Sequence, residues 1–562
     1  MVIYYGYTIW PKSNKKEQMK KMSLLCLAVL LLQSVTAQTT DKRLAGLDTF
    51  INRILKEWSA AGVTVAVVEK NKVILAKGFG YKDYENKVPV TENTLFAIGS
   101  CTKAFTSSLL AFPMKEGKLD FDNPIKQYLP ELRFVDDELN INVTTRDMMS
   151  HRTGLPRHDL AWYGSNSKRD SLIYIIRYFE KTAPLRRVWQ YNNFMFLAQG
   201  VLAEKLSDKS WETLVQEQLF TPLNMTSSNT SMIDHVKAAD YSFGYTEKDG
   251  SVSKMKFMNI DGIGPAGSIN SNAKDMANWV MMWVNGGKFN GKEILPAAYY
   301  NQAISSQMII GAGLPTKEQP DVFFSNYGLA WFLANYRGHY RVEHGGNIDG
   351  FSSSTSFFPT DSIGIFVSVN QNGSPIPGII RNTIADKLLG LKYKDWHRTQ
   401  KDAVDKAKAG AKEKLKADST QRKMGTRPTH AITDYAGTFT NEGYGTLTIE
   451  QQKDSLVAKY NALTFKVKHY HFNYFNFIPV ADGVDAGEDD AMKGQFNINI
   501  KGEIESLSLP LQAGVKDIVF TKKVETIDVS KADLEKYVGE YELPGPTLVK
   551  VYIKGEKTLI AF

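Results

Sequence analysis

Apolar positions in this chain recur at helical spacing in some stretches and at every second residue in others, and the two spacings outline its elements. Helical spacing predicts an amphipathic helix from Arg43 to Trp58. Strands are expected after it at Thr64 to Glu69 and Lys72 to Tyr81, whose Lys70-Asn71 junction suits a tight turn. The apolar approach Leu95-Phe96-Ala97-Ile98-Gly99 opens into Cys101 to Ala111, whose spacing suits a buried helix. Phe194 to Leu202 predicts another helix, ending near Lys205. Ser352 to Pro359 and Ile363 to Asn370 alternate about a turn and predict an antiparallel pair, and Ile376 to Leu389 predicts a helix packed back on the sheet.

The pattern changes at Trp396. From there to Arg427 the chain is rich in helix formers and nearly free of large apolar residues, which predicts an exposed helical linker ended by Gly425 and Pro428. From about Thr429 short alternating runs follow: Gly445 to Glu450, Ser455 to Tyr460, Thr464 to Tyr470, Phe472 to Phe477, Gln495 to Lys501, Glu505 to Leu511 and Asp517 to Lys522. Such strands with turns between them predict a small antiparallel barrel or sandwich. Ile432-Thr433-Asp434-Tyr435-Ala436-Gly437-Thr438-Phe439 returns 102 residues later as Leu534-Glu535-Lys536-Tyr537-Val538-Gly539-Glu540-Tyr541. Either the last strands close the first barrel or they belong to another β module, truncated here, from residue 534.

Three short blocks carry the candidate chemistry. Ser-x-x-Lys occurs at Ser13, Ser165, Ser251 and Ser271 as well as at Ser100, but only Ser100 follows an apolar run and a glycine turn and opens a buried helix. A helix start stabilises developing negative charge, and residues three apart share a helical face, so the Lys103 amine falls beside the Ser100 hydroxyl. Lys103 serves as base if burial and nearby positive groups hold part of it neutral, and Tyr191 is the second candidate proton carrier. In the second block, Tyr191-Asn192-Asn193 stands just before a helix, where the Asn193 amide can hold a substrate carbonyl or the lysine. In the third, His344-Gly345-Gly346 precedes the paired strands, and two glycines at a strand edge permit close approach by a ligand.

Together these blocks resemble the serine β-lactamase and penicillin-binding-protein superfamily, nearest its class C β-lactamase, D-alanyl carboxypeptidase and esterase branch. Leu95 to Phe105 is similar to that branch's nucleophile segment, and Met148-Met149-Ser150-His151-Arg152-Thr153-Gly154-Leu155-Pro156 to its His-Thr/Arg-Ser/Thr-Gly-Leu segment. Gly264-Pro265-Ala266-Gly267-Ser268-Ile269, followed by Ala273 to Trp279, is similar to another segment, and the resemblance covers about Leu44 to Leu389. It implies an α+β, β-lactamase/transpeptidase-like domain, an antiparallel sheet flanked by helices, with an inserted helical region carrying Tyr191. It also implies that Ser100 is acylated, that Lys103 and Tyr191 move its proton, and that Asn193 contacts the substrate amide. His344, Gly345 and Gly346 would line the acyl pocket, and the backbone N–H groups of Ser100 and Asn347 would form the oxyanion hole. The C-terminal strands resemble the lipocalin-like domains attached to some members, which implies a part in shaping the cleft or in homo-oligomer assembly.

His344 departs from the Lys-Thr-Gly of penicillin-active relatives, and Gly345 replaces the hydroxyl residue. Histidine is mostly neutral at pH 7, so the permanent cation for a substrate carboxylate is missing. His-x-Gly resembles D-aminopeptidase-like members. The expected activity is hydrolysis of a D-amino-acid peptide or small amide or ester, of cell-wall origin or otherwise. The alternatives are a true class C β-lactamase and a non-catalytic penicillin-binding sensor or cell-wall binding module.

Met19-Lys20-Lys21-Met22, the apolar run Leu24 to Leu32 and the small residues Val35-Thr36-Ala37 predict a leader over residues 1–37, with Met19 the natural start, and hence export to a bacterial periplasm or the medium. Nine apolar residues are too few for a lasting membrane anchor. The expected divisions are the leader, a hydrolase domain over 38–395, the linker over 396–428 and the β domain over 429–562. Four of the eight formal net positive charges leave with the leader, so the basic balance is no argument for nucleic acid. Cys101 is then the only cysteine, which excludes an internal disulfide. His469 and His471, and the acidic run Asp482, Asp485, Glu488, Asp489 and Asp490, lack a convincing full ligand set, so no metal or organic cofactor is expected.

Overall fold

The computed structural model describes Gly6 and residues 41–562, apart from 249, 312–314, 318–319, 482–483, 486, 525–529, 543–547, 555–557 and 562. The predicted leader, Gly6 excepted, lies outside the described residues, as does Asp482.

The larger sheet is built from β1 (Gly62–Glu69), β2 (Lys72–Asp83), β3 (Val88–Pro89), β4 (Met308–Gly311), β5 (Ser325–Tyr327), β6 (Phe332–Tyr336), β7 (His339–Ile348), β8 (Phe351–Phe358) and β9 (Ile363–Val369). Its order among the described residues is β4-β5-β6-β7-β8-β9-β1-β2-β3, antiparallel throughout. The central strands are buried on both faces, and β1 shows why. Val63, Val65 and Val67 enter one core with Leu47, Ile51 and Ile54 of α1 (Leu47–Glu57), while Ala66 and Val68 enter the other with Trp279 and Val280 further along the chain. Burying a valine- or leucine-sized side chain contributes about 1.5–3 kcal/mol, so this two-sided burial specifies the register.

Gly46, at φ +78°, breaks the predicted helix, so that Lys42–Leu44 forms a separate 3-10 turn ahead of α1. The helices inserted between β3 and β4 include α2 (Thr102–Leu109), α3 (Phe194–Ser207) and α4 (Ala273–Val284). Phe105 of α2 stacks on Trp279 of α4 at 3.6 Å, which ties the Ser100 segment to the helix that covers the sheet. The other face is covered by α1 and α5 (Ile376–Leu388).

The linker forms α6 (Trp396–Gln421), but its first turn is docked rather than free. Trp396 stacks on Tyr336 and donates from Nε1 to Asp386 Oδ2 at 2.7 Å, and His397 Nε2 lies 3.1 Å from Glu57 Oε2. Two aromatic rings at the start of an otherwise polar helix find apolar surface that its later residues lack.

Beyond it stand β10 (Gly437–Asn441), β11 (Gly445–Gln452), β12 (Ser455–Tyr460), β13 (Leu463–His471), β14 (Tyr474–Ala481), β15 (Met492–Ile498), β16 (Ile504–Leu509) and β17 (Ile518–Lys522). Pairing of β13 with β14 and of β10 with β17 closes these eight strands into an antiparallel barrel. Strand β10, inside the repeated segment, escapes the period-two reading because only Phe439 of its five residues is large and apolar. Gly539–Glu542, Leu548–Lys554 and Thr558–Ala561 pair with one another in a separate sheet, so the last strands do not close the first barrel.

Candidate active site

Gly99, at φ +53°, turns the chain from the short strand Phe96–Ala97 into a 3-10 turn, Gly99–Cys101, that runs on into α2. Ser100 is therefore at a helix start, with Lys103 one turn along and wholly buried. Lys103 Nζ lies 3.0 Å from Ser100 Oγ, 2.7 Å from Asn193 Oδ1 and 2.8 Å from the Ala266 carbonyl oxygen. Asn193 Oδ1 and the Ala266 oxygen can only accept. A neutral amine satisfies both with its two N–H bonds and turns its lone pair to the Ser100 hydroxyl. Burial, then the positive charge of Arg157, holds the Lys103 amine well below the ordinary lysine range.

Asn193 is used at both ends, since its Nδ2 donates to Asp159 Oδ1 at 2.8 Å. Its side chain therefore orients the lysine, and it also lines the smaller of the cavities that meet at Ser100. The helix cap is made by its neighbour: Asn192 Oδ1 accepts from Met195 N–H at 3.0 Å, which leaves Asn193 free for the site.

Tyr191 borders the same cleft, with its ring 4.7 Å from Lys103 Nζ and 4.8 Å from the Arg157 guanidinium. Burial raises its phenol well above the usual range, opposed by a hydrogen bond to Ser100, so the phenol is protonated at neutral pH. Behind it packs His151, with ring centroids 4.4 Å apart. His151 Nδ1 accepts from Asn192 N–H at 3.1 Å, which places the ring proton on Nε2. Burial holds this imidazole neutral.

His344 is 1% exposed and faces inward. Its Nδ1–H donates to the Gly345 carbonyl at 2.6 Å and its Nε2 accepts from the Tyr327 hydroxyl at 2.9 Å. Burial, with Lys103 adding to it, pulls its pKa down to about 3, so it is a neutral wall of the cleft and not a cation. The two glycines divide in role. A Cβ on Gly346 would stand 1.9 Å from the Ile98 carbonyl oxygen, whereas one on Gly345 would meet nothing nearer than the Ser353 oxygen at 3.6 Å. The close approach at Gly346 is thus made by the segment that delivers Ser100. Ser353 Oγ donates to the same Ile98 oxygen at 2.6 Å, and Cys101 Sγ donates to the His344 oxygen at 3.3 Å. Cys101 is a buried tie between α2 and β7.

Gly99 also brings Ser100 to Asn347: a Cβ there would lie 2.9 Å from Asn347 N. Asn347 Oδ1 is held by the Ser352 hydroxyl and by Gly373 N–H, both at 2.8 Å. The segment that carries Ser100 thereby lies against the Asn347 backbone, and both residues border the two cavities of the site.

Ser100 opens onto two cavities. One, of 1030 Å³, is walled by Trp189, Tyr191, Phe332 and the β7–β8 backbone, and on its outer side by Gln400 of α6 and by Gln512 and Ala513 of the barrel. The other, of 300 Å³, is lined by Trp162, Tyr163, Ile260, Ile263 and Ala266. Arg157 and Asp159, between them, had no distinguishing signal in the sequence; they follow the recognisable His151 to Pro156 segment but match no spacing rule. Among the described residues no group of three or more His, Cys, Asp or Glu side chains is placed to hold a metal ion. Nor is any helix among them long and apolar enough to cross a membrane. His469 Nε2 is bonded to the Phe472 oxygen and His471 Nδ1 to Lys423 N–H.

The beta-lactamase family profile matches residues 47–389, the greater part of the chain, and the protein belongs to that family. A domain of unknown function, DUF3471, matches residues 421–522, the barrel strands. Unguisins hydrolase ungD' of Aspergillus campestris is 29% identical over 430 residues, covering 73% of this chain and 78% of that protein. Protein flp of Staphylococcus aureus strain COL is 24% identical over 342 residues, covering 60% of this chain and 65% of that protein. The octameric penicillin-binding protein homologue from Pyrococcus abyssi superposes with a TM-score of 0.56 at 20% identity, over 85% of this chain and 100% of that one. D-amino acid amidase from Ochrobactrum anthropi SV3, complexed with L-phenylalanine amide, superposes with a TM-score of 0.51 at 19% identity, over 61% of this chain and 99% of that one. At these identities the superpositions establish a shared fold.

Proposed function

We propose that this protein is an exported serine hydrolase that forms an acyl-enzyme on Ser100 and passes the acyl group to water, acting on a D-amino-acid peptide or a small amide or ester. The observation that carries this reading is the buried Lys103 Nζ 3.0 Å from Ser100 Oγ, held in place by Asn193 Oδ1 and the Ala266 oxygen. In the first step Lys103 takes the hydroxyl proton as Oγ attacks the substrate carbonyl carbon. The resulting oxyanion is held by the N–H groups of Ser100 and Asn347, and preorganised donors of this kind supply a few kcal/mol each. Collapse of the intermediate breaks the bond to the leaving amine or alcohol, which receives a proton through Tyr191. Water then attacks the ester and its proton returns by the same route, restoring the serine hydroxyl.

The two cavities support a substrate that extends to both sides of its scissile bond, a compact group filling the smaller one and a longer group crossing the larger. The relative named as a hydrolase of unguisins supports hydrolysis as the outcome. The neutral, inward-facing His344 supports peptidase or esterase chemistry over penicillin turnover.

The test is intact-mass labelling of the protein with a fluorophosphonate and with a penicillin, beside Ser100→Ala, followed by peptide mapping. Labelling confined to Ser100 is expected with the fluorophosphonate. A penicillin adduct that turns over rapidly would indicate a β-lactamase, and one that persists a penicillin-binding sensor. No Ser100 adduct from either probe in folded protein would overturn the assignment.

A further inference from the structure

The barrel reaches the catalytic pair through three residues. Tyr444, between β10 and β11, donates its hydroxyl to His158 Nδ1 at 2.8 Å, and Gln512, between β16 and β17, accepts from His158 N–H at 2.5 Å. His158 Nε2–H donates in turn to the Glu180 carbonyl oxygen at 3.1 Å, and its ring stacks on Phe179 at 4.4 Å. Every polar group of this imidazole is engaged, and the residue is 1% exposed.

His158 stands at φ +49°, in the left-handed region that a non-glycine residue occupies only where its surroundings require it. Two barrel side chains bond to it there, one at its ring and one at its amide. The backbone reversal turns the neighbours on either side into the site. Arg157 lies over the Tyr191 ring at 4.8 Å and donates from Nε to Asp159 Oδ2 at 2.5 Å. Asp159 Oδ1 accepts from Asn193 Nδ2 at 2.8 Å and from Trp162 Nε1 at 2.9 Å, and Asn193 Oδ1 orients Lys103 Nζ.

We propose that Tyr444 and Gln512 of the barrel are positioning residues for the Ser100–Lys103 pair, acting through the strained turn Arg157-His158-Asp159. The barrel is on this account part of the catalytic machinery as well as a wall of the cleft. The inference rests on the reading of Ser100 and Lys103 as nucleophile and base. If the turn relaxes, Asp159 releases the Asn193 amide and Arg157 withdraws from Lys103, leaving the amine easier to protonate. The charged and titratable groups facing Lys103 are Arg157 and Asp159 of the turn, Tyr191 and His151 of the helical region, Cys101 of its own element and His344 of the sheet.

The experiment measures the rate of fluorophosphonate labelling at Ser100 against pH in the full chain, for wild type, Tyr444→Phe and Gln512→Ala, each also combined with Asp159→Asn. Asn461→Ala, which removes bonds to the Leu160 and Tyr163 oxygens and to Tyr460 but none to His158, is the control. Tyr444→Phe and Gln512→Ala should slow labelling at pH 7 by about 3- to 30-fold, the range for coupling through packed networks, and move the rise in rate to higher pH. Both effects should be smaller in the Asp159→Asn background, where only the route through Arg157 remains. Asn461→Ala should change neither.

A loss of rate that is equal in both backgrounds, or an unchanged pH profile, would overturn the proposal. Hydrogen exchange of residues 190–195, outside the segment that Asn461 touches, supplies a readout that needs no chemistry at Ser100. It should rise in both barrel variants and not in Asn461→Ala, and unchanged exchange there would equally overturn the coupling. Absence of labelling in wild type would instead remove the hydrolase reading, with hydrogen exchange still deciding whether the barrel sets the turn.

Discussion

Asn193 Oδ1 lies 2.7 Å from Lys103 Nζ, so the buried amine faces the neutral acceptor of an amide where a carboxylate would have fixed it as ammonium. The choice of residue at 193 thereby sets the protonation state of the base. Introducing a carboxylate there, as Asn193→Asp, puts an opposite charge against the amine and raises its pKa by about 1–3 units. Labelling of Ser100 at pH 7 should fall by about 10- to 1000-fold and recover as the pH is raised, and the thermal midpoint should drop, because the new carboxylate also meets Asp159 Oδ1, which Asn193 Nδ2 bonds at 2.8 Å. A loss that alkali does not recover would show that Asn193 acts on the substrate instead.

The same burial predicts the pH dependence of the wild type. Lys103 is held well below the ordinary lysine range, so the labelling rate should rise with pH through that lowered value and be near its plateau well under pH 10.5. Lys103→Ala should reduce the rate by about 10²–10⁴-fold and abolish this rise, as loss of a general base does. Tyr191→Phe should slow release of a poor leaving group more than attack by Ser100. Parallel rates for an activated ester and an unactivated amide would check this.

Gly346 is required by the Ile98 carbonyl. Gly346→Ala drives a methyl group to within 1.9 Å of that oxygen and must push the Ser100 segment off the sheet. Overpacking of this kind costs about 1–3 kcal/mol, so the thermal midpoint should drop and Ser100 labelling should be lost. Gly345→Ala, with 3.6 Å to spare, should leave the midpoint within a degree or two of wild type. Equal destabilisation by the two changes would refute the division of roles.

His235 is fully buried away from the cleft. It donates from Nε2 to the Ser242 oxygen at 3.0 Å, and burial brings its pKa down to about 4. A histidine lowered on folding takes up its proton first in the unfolded chain. Its contribution is complete above about pH 6.5 and is lost as the pH falls toward 4, by up to about 3 kcal/mol. Thermal midpoints measured from pH 7 to 4 should therefore fall, and His235→Asn should flatten part of that slope. An identical slope in the variant would assign the acid sensitivity to other groups.

The reach of local pattern differs between the elements. The strands β1 and β2, the helix opened by Ser100 and the spacing of Ser100 to Lys103 depend on residues within a few positions of one another, and they stand as the sequence predicts. The linker was legible as a helix but not as docked, because the partners of Trp396 and His397 are Asp386, Tyr336 and Glu57, the last two far away in the chain. The barrel strands from β11 to β17 were legible from their alternation, whereas β10 was too short and polar to register.

At the site the division is sharper. The sequence by itself determined which residue types carry the chemistry, their order in the chain and the family they resemble, because a nucleophile, an amine one helical turn on and a glycine pair are local patterns. Tertiary structure alone decided that Lys103 is buried where desolvation and Arg157 favour its neutral form, that His344 turns inward, that Gly346 yields space to Ile98, and that barrel residues grip the turn at His158. Desolvation, like a hydrogen bond across hundreds of residues, is a property of what the fold encloses, and no spacing along the chain encodes it.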